Sequence, residues 1–375
     1  MKNNTSTINI KECFEMQREN LLVINPGSTS TKVAVFRNME NILQKNLNHS
    51  TEELAKYEKI TDQFQYRQEM ILEWLKEEKI EVESLAAVVG RGGLLKPMPG
   101  GTYKVTDAMI EDLKIGVQGE HASNLGGIIA KGIADSQGIP SFIVDPVAVD
   151  EFEDIARVSG LPELPRRSLV HALNTKAVAR RAAKDMGKTL EEVNFIVAHL
   201  GGGISISPVE KGRIIDTNNA NDAGPFSPER AGTVPVGALI KLCYSGKYTQ
   251  AEIKKMTVGK AGFVGYLGTN DARDVIKMIE NGDKKAELVF DAMTYQIAKE
   301  IGAVATVLSG KVDAILLTGG IAYSNLLCEK ISKRVQFIAP VKLYPGEDEM
   351  LALAEGSQRV LNGEEEAKIY ENEVK

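Results

Sequence analysis

The sequence predicts an α/β protein built on a duplicated fold, and three glycine-rich turns carry this prediction. In each of them an apolar run typical of a buried strand leads directly into glycine. Two of the turns lead on into a second apolar strand, so the same layout occurs twice along the chain. The three segments are residues 21–36, 195–208 and 314–322.

The first turn has the composition of an anion site. Gly27 allows a tight turn, the hydroxyl groups of Ser28 and Ser30 can donate hydrogen bonds, and Lys32 adds a positive charge. An ordinary polar β-hairpin is the alternative. Neither the P-loop pattern nor the glycine pattern of dinucleotide-binding folds occurs at these strand ends, which argues against both families.

The other two turns repeat the theme. Gly201, Gly202 and Gly203 follow one apolar strand, and Gly319 and Gly320 follow another. Backbone N–H groups of such turns converge on phosphate oxygens. We interpret the chain as carrying two phosphate loops and one nucleoside loop.

The elements of the first half follow from hydrophobic periodicity and turn residues. An apolar stripe of Phe64, Ile71, Trp74 and Leu75 predicts a helix over 61–78. The other elements predicted here are strands at 21–24, 33–36, 85–89 and 141–144 and helices at 106–115 and 124–136.

The second half begins after a proline-containing segment, 162–167, which predicts a crossing loop and a domain boundary. The acidic run 364–366 predicts a solvated chain end. Between them we expect helices at 168–186 and 349–361, strands at 194–199, 203–208, 312–317 and 335–338, and a hairpin at 209–216.

Composition narrows the function without naming it. A length of 375 residues predicts two or three domains. The net charge of −6 gives no sign of affinity for nucleic acid or anionic membranes. Three scattered cysteines predict no disulfide framework, and four histidines show no metal-ligand spacing. A polar start and the lack of an apolar run of membrane-spanning length predict a cytoplasmic protein.

From about residue 20 onward the chain resembles the family of acetate and butyrate kinases, which belongs with actin, a class of heat-shock chaperones and the hexokinases. The resemblance is closest to the butyrate and branched-chain fatty-acid kinases. The motifs that carry it are Asn25-Pro-Gly-Ser-Thr-Ser-Thr-Lys32, Val89-Gly-Arg-Gly-Gly93, Val144-Asp-Pro146, His199-Leu-Gly-Gly-Gly-Ile-Ser205, 222–232, Asp271-Ala-Arg-Asp274 and Thr318-Gly-Gly-Ile321.

The resemblance implies two domains of duplicated, actin-like and ribonuclease-H-like βββαβαβα topology around a central cleft. Residues 1–19 would be an extension. The first domain would comprise 20–160 plus about 349–375. The second, 161–348, would bind most of the nucleotide and hold the contacts of a homodimer or larger homo-oligomer.

The implied reaction is ATP + butanoate = ADP + butanoyl phosphate, by direct in-line transfer assisted by Mg²⁺. A carboxylate acceptor is ionised at neutral pH and needs no general base. The reaction instead requires positively charged groups, because the anionic acceptor must approach the polyanionic ATP. An acetate, propionate or isobutyrate kinase remains an alternative, and so does a nucleotide-dependent binding protein of the actin type.

Five catalytic residues follow from the resemblance. Arg91, between glycines at a strand end, would bind the carboxylate through its guanidinium fork; the alternative is a surface arginine. His171 and His199 would donate hydrogen bonds to phosphate instead of packing as ordinary histidines. Arg230 would act near the γ-phosphate, although the family's arginine lies several residues later. Asp145 would orient Mg²⁺ or the transition state, or would be only a turn residue.

The remaining predicted site residues also follow from the resemblance to the family. Asn25 and Glu349 would complete the Mg²⁺ shell with Asp145, Glu349 being otherwise an ordinary acid at a helix start. Asp271 and Arg273 would contact adenosine, although such surface pairs are common. Gly202 stands where acetate kinases usually carry asparagine. The acyl pocket is predicted to contain Leu94, Val170 and Pro228.

Overall fold

The computed structural model describes residues 18–374, and its strands form two sheets. The strands are β1 (Asn20–Pro26), β2 (Ser30–Arg37), β3 (Glu40–Asn48), β4 (Leu85–Arg91), β5 (Thr102–Lys104), β6 (Ser141–Val144), β7 (Asn194–Leu200), β8 (Ile204–Glu210), β9 (Arg213–Ile214), β10 (Ala314–Gly319), β11 (Val341–Pro345) and β12 (Lys368–Ile369).

The two sheets repeat one topology. The first has the order β12-β5-β6-β4-β1-β2-β3, and the second has the order β11-β10-β7-β8-β9. In each, three consecutive antiparallel strands are followed by two strands parallel to the first of the three. The predicted duplication of a βββαβαβα unit is confirmed.

The helices cover the faces of these sheets. They are α1 (Thr51–Leu54), α2 (Phe64–Glu77), α3 (Asp107–Ile115), α4 (Asn124–Gln137), α5 (Asp154–Arg157), α6 (Ala172–Asp185), α7 (Val236–Cys243), α8 (Gln250–Thr257), α9 (Gly262–Leu267), α10 (Ala272–Glu280), α11 (Lys284–Val307), α12 (Asn325–Val335), α13 (Glu349–Leu361) and α14 (Tyr370–Glu373). Within residues 18–374 we find no helix with the length and apolar character that a membrane crossing requires.

Helix α6 lies between the two sheets and shares a layer with α13. Leu173 on α6 and Leu353 on α13 belong to one core with the first sheet, whereas Val178 and Ala182 of α6 belong to the core of the second sheet. Gly356 lets α13 approach β6, because a Cβ there would overlap the side chain of Val144. Both helices begin at the cleft between the sheets, which fixes the first residue of each beside the site.

Most predicted elements are present, and the final helix has the predicted bounds of 349–361. The strand predicted at 335–338 is wrong: α12 ends at Val335, Phe337 is 83% exposed, and the next strand is β11. Strand β3 is an element that the sequence analysis did not locate.

The solvated chain end predicted at 364–366 is correct in the exposure of Glu364 and Glu366 but wrong for Glu365. The Glu365 carboxylate accepts a hydrogen bond from Thr102 N and pairs with Arg359. After it, β12 joins the first sheet and the side chain of Tyr370 is buried.

Residues 18 and 19 are the only part of the predicted extension 1–19 that lies within the described residues. The domain limits of 20–160 plus 349–375 and 161–348 stay a prediction.

Candidate active site

Residues from both halves of the chain line one cavity of about 450 Å³ between the sheets. Strands β1, β4 and β6 are parallel, so their carboxyl ends meet at one edge of the first sheet. The start of α6 and the loop before α7 form the opposite wall. The predicted residues that line the cavity are Asn25, Arg91, Leu94, Asp145, Val170, His171 and Arg230.

Glu349 connects the last helix to two residues of the first sheet. Its carboxylate forms an ion pair with the Arg91 guanidinium and accepts a hydrogen bond from Asn25 Nδ2 at 2.6 Å. The Arg91 and Glu349 side chains are each 25% exposed, so both can exchange partners with a ligand. The structure therefore brings together the predicted arginine and two of the three predicted Mg²⁺ ligands.

Asp145 has a different set of partners. It follows β6 with a φ of +39°, and its side chain is buried. One carboxylate oxygen accepts from Gly101 N at 2.7 Å and the other from Arg180 Nη1 at 3.1 Å. Asp145 therefore links the end of β6 to α6, and no hydrogen bond joins it to Asn25 or Glu349.

His171 and His199 lie ring against ring, with centroids 3.8 Å apart. Burial, with His199 as a second cause, lowers the pKa of His171 to about 3. His171 Nδ1 lies 3.0 Å from Ser205 Oγ. Because its pKa is so low, His171 is a neutral ring at physiological pH.

The tautomer of His199 follows from its neighbours. Asn174 Nδ2 lies 2.9 Å from His199 Nδ1 and can only donate, so Nδ1 accepts and the ring proton sits on Nε2. That N–H points at Glu347 Oε1, 3.3 Å away. Hydrogen bonding to His199 holds the pKa of Glu347 below its usual value. His199 thus keeps a fixed donor pointed at Glu347, and its ring lines neither the cavity described above nor the one on the second sheet.

Arg230 reaches the second glycine turn. Its guanidinium lies against Gly203, where a Cβ would overlap it, so a larger residue at 203 would force the Arg230 side chain to move. Burial lowers the pKa of Arg230. The side chain thus connects the turn at 201–203 with the cavity that Arg91 also lines.

A second cavity, of about 720 Å³, lies on the second sheet. Gly202 and Gly320 line it together with Asp271 and Arg273. Asp271 caps α10 by accepting from Arg273 N, and its carboxylate pairs with the Arg273 guanidinium at 2.6 Å. Hydrogen bonds from Arg273 lower the pKa of Asp271 to about 2.

Other predicted residues lie outside these cavities. Pro228 lines neither cavity, and its carbonyl accepts from Val264 N, so its place in the acyl pocket stays a prediction. In the first turn Gly27 N donates to Ser30 O at 2.7 Å, and Lys32 lies opposite Asn25 in the strand register. This turn is the exposed tip between β1 and β2.

Gly201 and Gly319 belong to the second and third glycine turns, and each packs closely against neighbouring residues. Gly201 lies next to His199 and Glu347, and Gly319 has a φ of +90°. A Cβ at Gly319 would overlap the backbone of Leu200, so β10 could not approach β7 with any other residue there.

Sequence reasoning missed Glu347, Asn174 and Arg180. Glu347 follows the Pro-Gly at the end of β11, and an acid directly after a strand end is a signal that could have found it. Asn174 and Arg180 lie within α6, where only the tertiary contacts to His199 and Asp145 identify them.

Two sheets of one topology, with glycine turns from both around a shared cleft, define the class of proteins with the two-domain actin-like fold. The chain belongs to the acetokinase family, whose family model matches residues 163–366. This confirms the predicted family and the assignment as a kinase.

Known relatives support the family assignment over nearly the whole chain. It is 60% identical to a probable butyrate kinase of Clostridium botulinum (strain Eklund 17B) over 93% of this chain and 99% of that protein. It is 59% identical to butyrate kinase 2 of Clostridium acetobutylicum, with the same coverage. The structure of Porphyromonas gingivalis acetate kinase superposes with a TM-score of 0.76 at 21% identity, covering 92% of this chain and 100% of that one.

Proposed function

We propose that the protein transfers the γ-phosphoryl group of ATP to a short-chain carboxylate, with butanoate as the main acceptor. The observation that carries this is the first cavity, where two arginines and a neutral histidine face apolar walls. In the reaction a carboxylate oxygen forms a bond to the γ-phosphorus, and the bond from that phosphorus to the β–γ bridging oxygen breaks. ADP leaves with that electron pair, and the reverse reaction makes ATP.

The cavity suits an anion that must meet another anion. Arg91 can leave Glu349 and hold the acceptor carboxylate through two parallel N–H bonds. Arg230 lies at the junction with the glycine turn, where charge develops on the transferring group. Because the acceptor is already ionised, no residue has to remove a proton.

The histidines fit the role of donors and not of proton shuttles. His171 stays neutral, with a pKa of about 3, and His199 carries its proton on Nε2. Such fixed N–H groups stabilise charge on phosphoryl oxygens without reorganising. Glu347 holds the His199 donor in place until a phosphate oxygen takes over.

The nucleotide would lie along the second sheet. Its base and ribose fit the second cavity, beside Asp271, Arg273 and Gly320. The phosphates would then run past Gly202 toward the first cavity and the turn at 27–30. Closure of the two halves would exclude the water that competes as an acceptor.

The residues present fit Mg²⁺ with a small protein share of its shell. Mg²⁺ favours one or two protein oxygens completed by water and phosphate. Glu349 offers its carboxylate and Asn25 its side-chain carbonyl, whose amide nitrogen already bonds Glu349. Asp145 would support the site indirectly, through the hydrogen bond that its carboxylate accepts from Arg180. When bound, the ion would neutralise phosphate charge.

Chain length of the acceptor depends on Val170 and Leu94, which line the cavity beside Arg91. Acetate kinases carry a bulkier residue at the position of Val170, so its small size favours four carbons over two. Since the reaction consumes ATP and yields a hydrolysis-prone acyl phosphate, we expect it to run in the cytoplasm.

We also propose that the protein associates with itself through the second half of the chain. No residue of α7 is buried. Val236 and Ile240 on this helix are 67% and 53% exposed, and Tyr244, directly after it, is 88% exposed. Apolar surface presented on one helix face is typical of an interface, and a second copy of the chain is the partner we expect.

The test is ATP-dependent acyl phosphate formation, trapped as hydroxamate, with acids of one to five carbons including isobutyrate. We expect a maximum of kcat/KM at butanoate, and Arg91→Ala should raise KM for the acid roughly 10- to 100-fold. Arg334→Ala, an exposed arginine on α12, is the matched control. A maximum at acetate would keep the chemistry and overturn the acceptor; no acyl phosphate with any acid would overturn the function.

A further inference from the structure

Arg67 is a buried arginine without a carboxylate partner. It lies on α2 and is 1% exposed. Within residues 18–374 it takes part in no ion pair, although a buried charge usually requires one. Its hydrogen bonds must therefore explain why an arginine is placed here.

Those bonds converge on the first glycine turn. Nη1 donates to Gly27 O at 2.8 Å and lies 3.3 Å from Ser30 O, and Nη2 donates to Ser28 O at 3.1 Å. The side-chain oxygen of Gln63 accepts from Nε and Nη2, at 3.1 and 2.8 Å. The guanidinium thus serves as a platform beneath the turn.

The stereochemistry of the peptide bond extends this contact to the other face of the turn. In a trans peptide the C=O and the N–H point in opposite directions. Because the carbonyls of Gly27 and Ser28 point at Arg67, the N–H groups of Ser28 and Thr29 point away from it. Among the described residues neither N–H has a protein acceptor, and both side chains are exposed.

Thr31 and His49 complete the support. Thr31 Oγ1 accepts from Arg67 Nη1 at 3.0 Å and lies 2.8 Å from His49 Nε2. His49 N donates to Thr29 O at 2.9 Å, which fixes a further carbonyl of the turn. Every carbonyl from Gly27 to Ser30 therefore accepts a hydrogen bond from within the protein, whereas the N–H groups of Ser28 and Thr29 donate to no other described residue.

We propose that Arg67 is a positioning residue for nucleotide binding, which orients the peptides of residues 27–30 so that their N–H groups receive the phosphate chain. This rests on the proposed function, because it takes the ligand of the turn to be a nucleotide phosphate. Arg67 also places an uncompensated positive charge beneath that anion site. Burial lowers the pKa of Arg67 to about 10, so the charge persists at neutral pH.

The test compares three variants. Arg67→Lys keeps the charge but loses the planar fork that reaches several carbonyls at once, whereas Arg67→Met loses both. We expect KM for ATP and Kd for ADP to rise roughly tenfold in Arg67→Lys and more in Arg67→Met, with KM for the carboxylate changing less than about twofold. Leu75→Ala, a buried apolar truncation on the same helix, controls for lost stability.

The outcomes separate the proposal from its premise. If Arg67→Lys binds ADP like wild type, or if its defect matches that of Leu75→Ala, Arg67 has no role in phosphate binding and the proposal is overturned. Should Arg67→Met fail to fold, Arg67→Lys decides alone. A wild-type protein that binds ADP but makes no acyl phosphate would overturn the function, while the ADP affinities of the variants would still test Arg67.

Discussion

The imidazole rings of His171 and His199 stack in parallel, with centroids 3.8 Å apart and planes inclined by 10°. Two protonated rings at this distance would repel each other, and burial removes the water that would screen them. Burial of the His171 ring is the main reason that it stays neutral, and the repulsion from His199 adds to it. The neutral ring can donate only through one nitrogen. It also makes the protein sensitive to acid.

The first prediction is a loss of stability below neutral pH. The pKa of His171 is lowered to about 3, and burial and Arg67 lower that of His49 to about 4. The unfolded chain protonates both near pH 6.5, so it binds more protons than the folded protein once the pH falls below that value. Each histidine should then cost about 1.4 kcal/mol of unfolding free energy per pH unit.

Denaturant unfolding at pH 7.5, 6.5 and 5.5 measures this. His49→Asn and His171→Asn should each flatten the decline between pH 6.5 and 5.5. A decline of the same slope in wild type and both variants would contradict the assignment of low pKa values to these histidines.

The second prediction concerns the tautomer of His199. Asn174→Leu removes the donor to Nδ1, so the ring proton can move away from Nε2. We expect kcat to fall about 10- to 100-fold, because a fixed donor to the transferring group is lost. KM for the acid should change little. A rise in KM with kcat unchanged would show that Asn174 shapes the acyl pocket instead.

The site residues that the sequence predicts well are those at the ends of strands and helices. Asn25, Arg91 and His171 each stand at an element end, and parallel strands bring such ends to one edge. Residues whose role comes from distant contacts were missed. Arg67 gave one signal: it precedes Ile71 and Leu75 by four and eight positions, so it lies on the buried stripe of its helix.

The errors in the fold have local causes. Residues 335–338 are apolar enough to resemble a strand, but Val335 completes the buried face of α12. Strand β3 is an edge strand that is mostly exposed, so its alternation is weak. The two residues of β12 are too few to show any period, and their pairing with β5 depends on the tertiary fold.

The third prediction concerns the metal. Glu349→Gln removes the carboxylate that we assign to Mg²⁺ and leaves Arg91 without its ion-pair partner. The Mg²⁺ concentration for half-maximal activity should rise roughly tenfold or more, while KM for the carboxylate should not rise. Glu355→Gln, on the same helix, is the matched control. Equal Mg²⁺ dependence in both variants would remove Glu349 from the metal shell.

The fourth prediction concerns the acyl pocket. Val170 is 3% exposed and lines the first cavity with Leu94. Val170→Phe should lower kcat/KM for butanoate relative to acetate by roughly 10- to 200-fold. Val170→Ala should instead favour five carbons over four. If both variants shifted the preference in the same direction, Val170 would not limit chain length.

The fifth prediction concerns self-association through α7. Tyr244 directly follows α7, and its N–H donates to Ile240 O as in a further helical turn, so the two side chains, four positions apart, lie on the same side. Replacing both by glutamate would bring like charges together across a two-fold interface, and the dissociation constant should rise at least tenfold.

Light scattering across a dilution series measures the mass of each species. The matched control is Phe337→Glu, because Phe337 is 83% exposed but follows the end of α12 and is not part of α7. We expect the control to keep the wild-type mass and the double variant to approach 40.8 kDa, the mass of one chain. An unchanged mass in the double variant would assign the interface to another surface, and a monomeric wild type would remove it altogether.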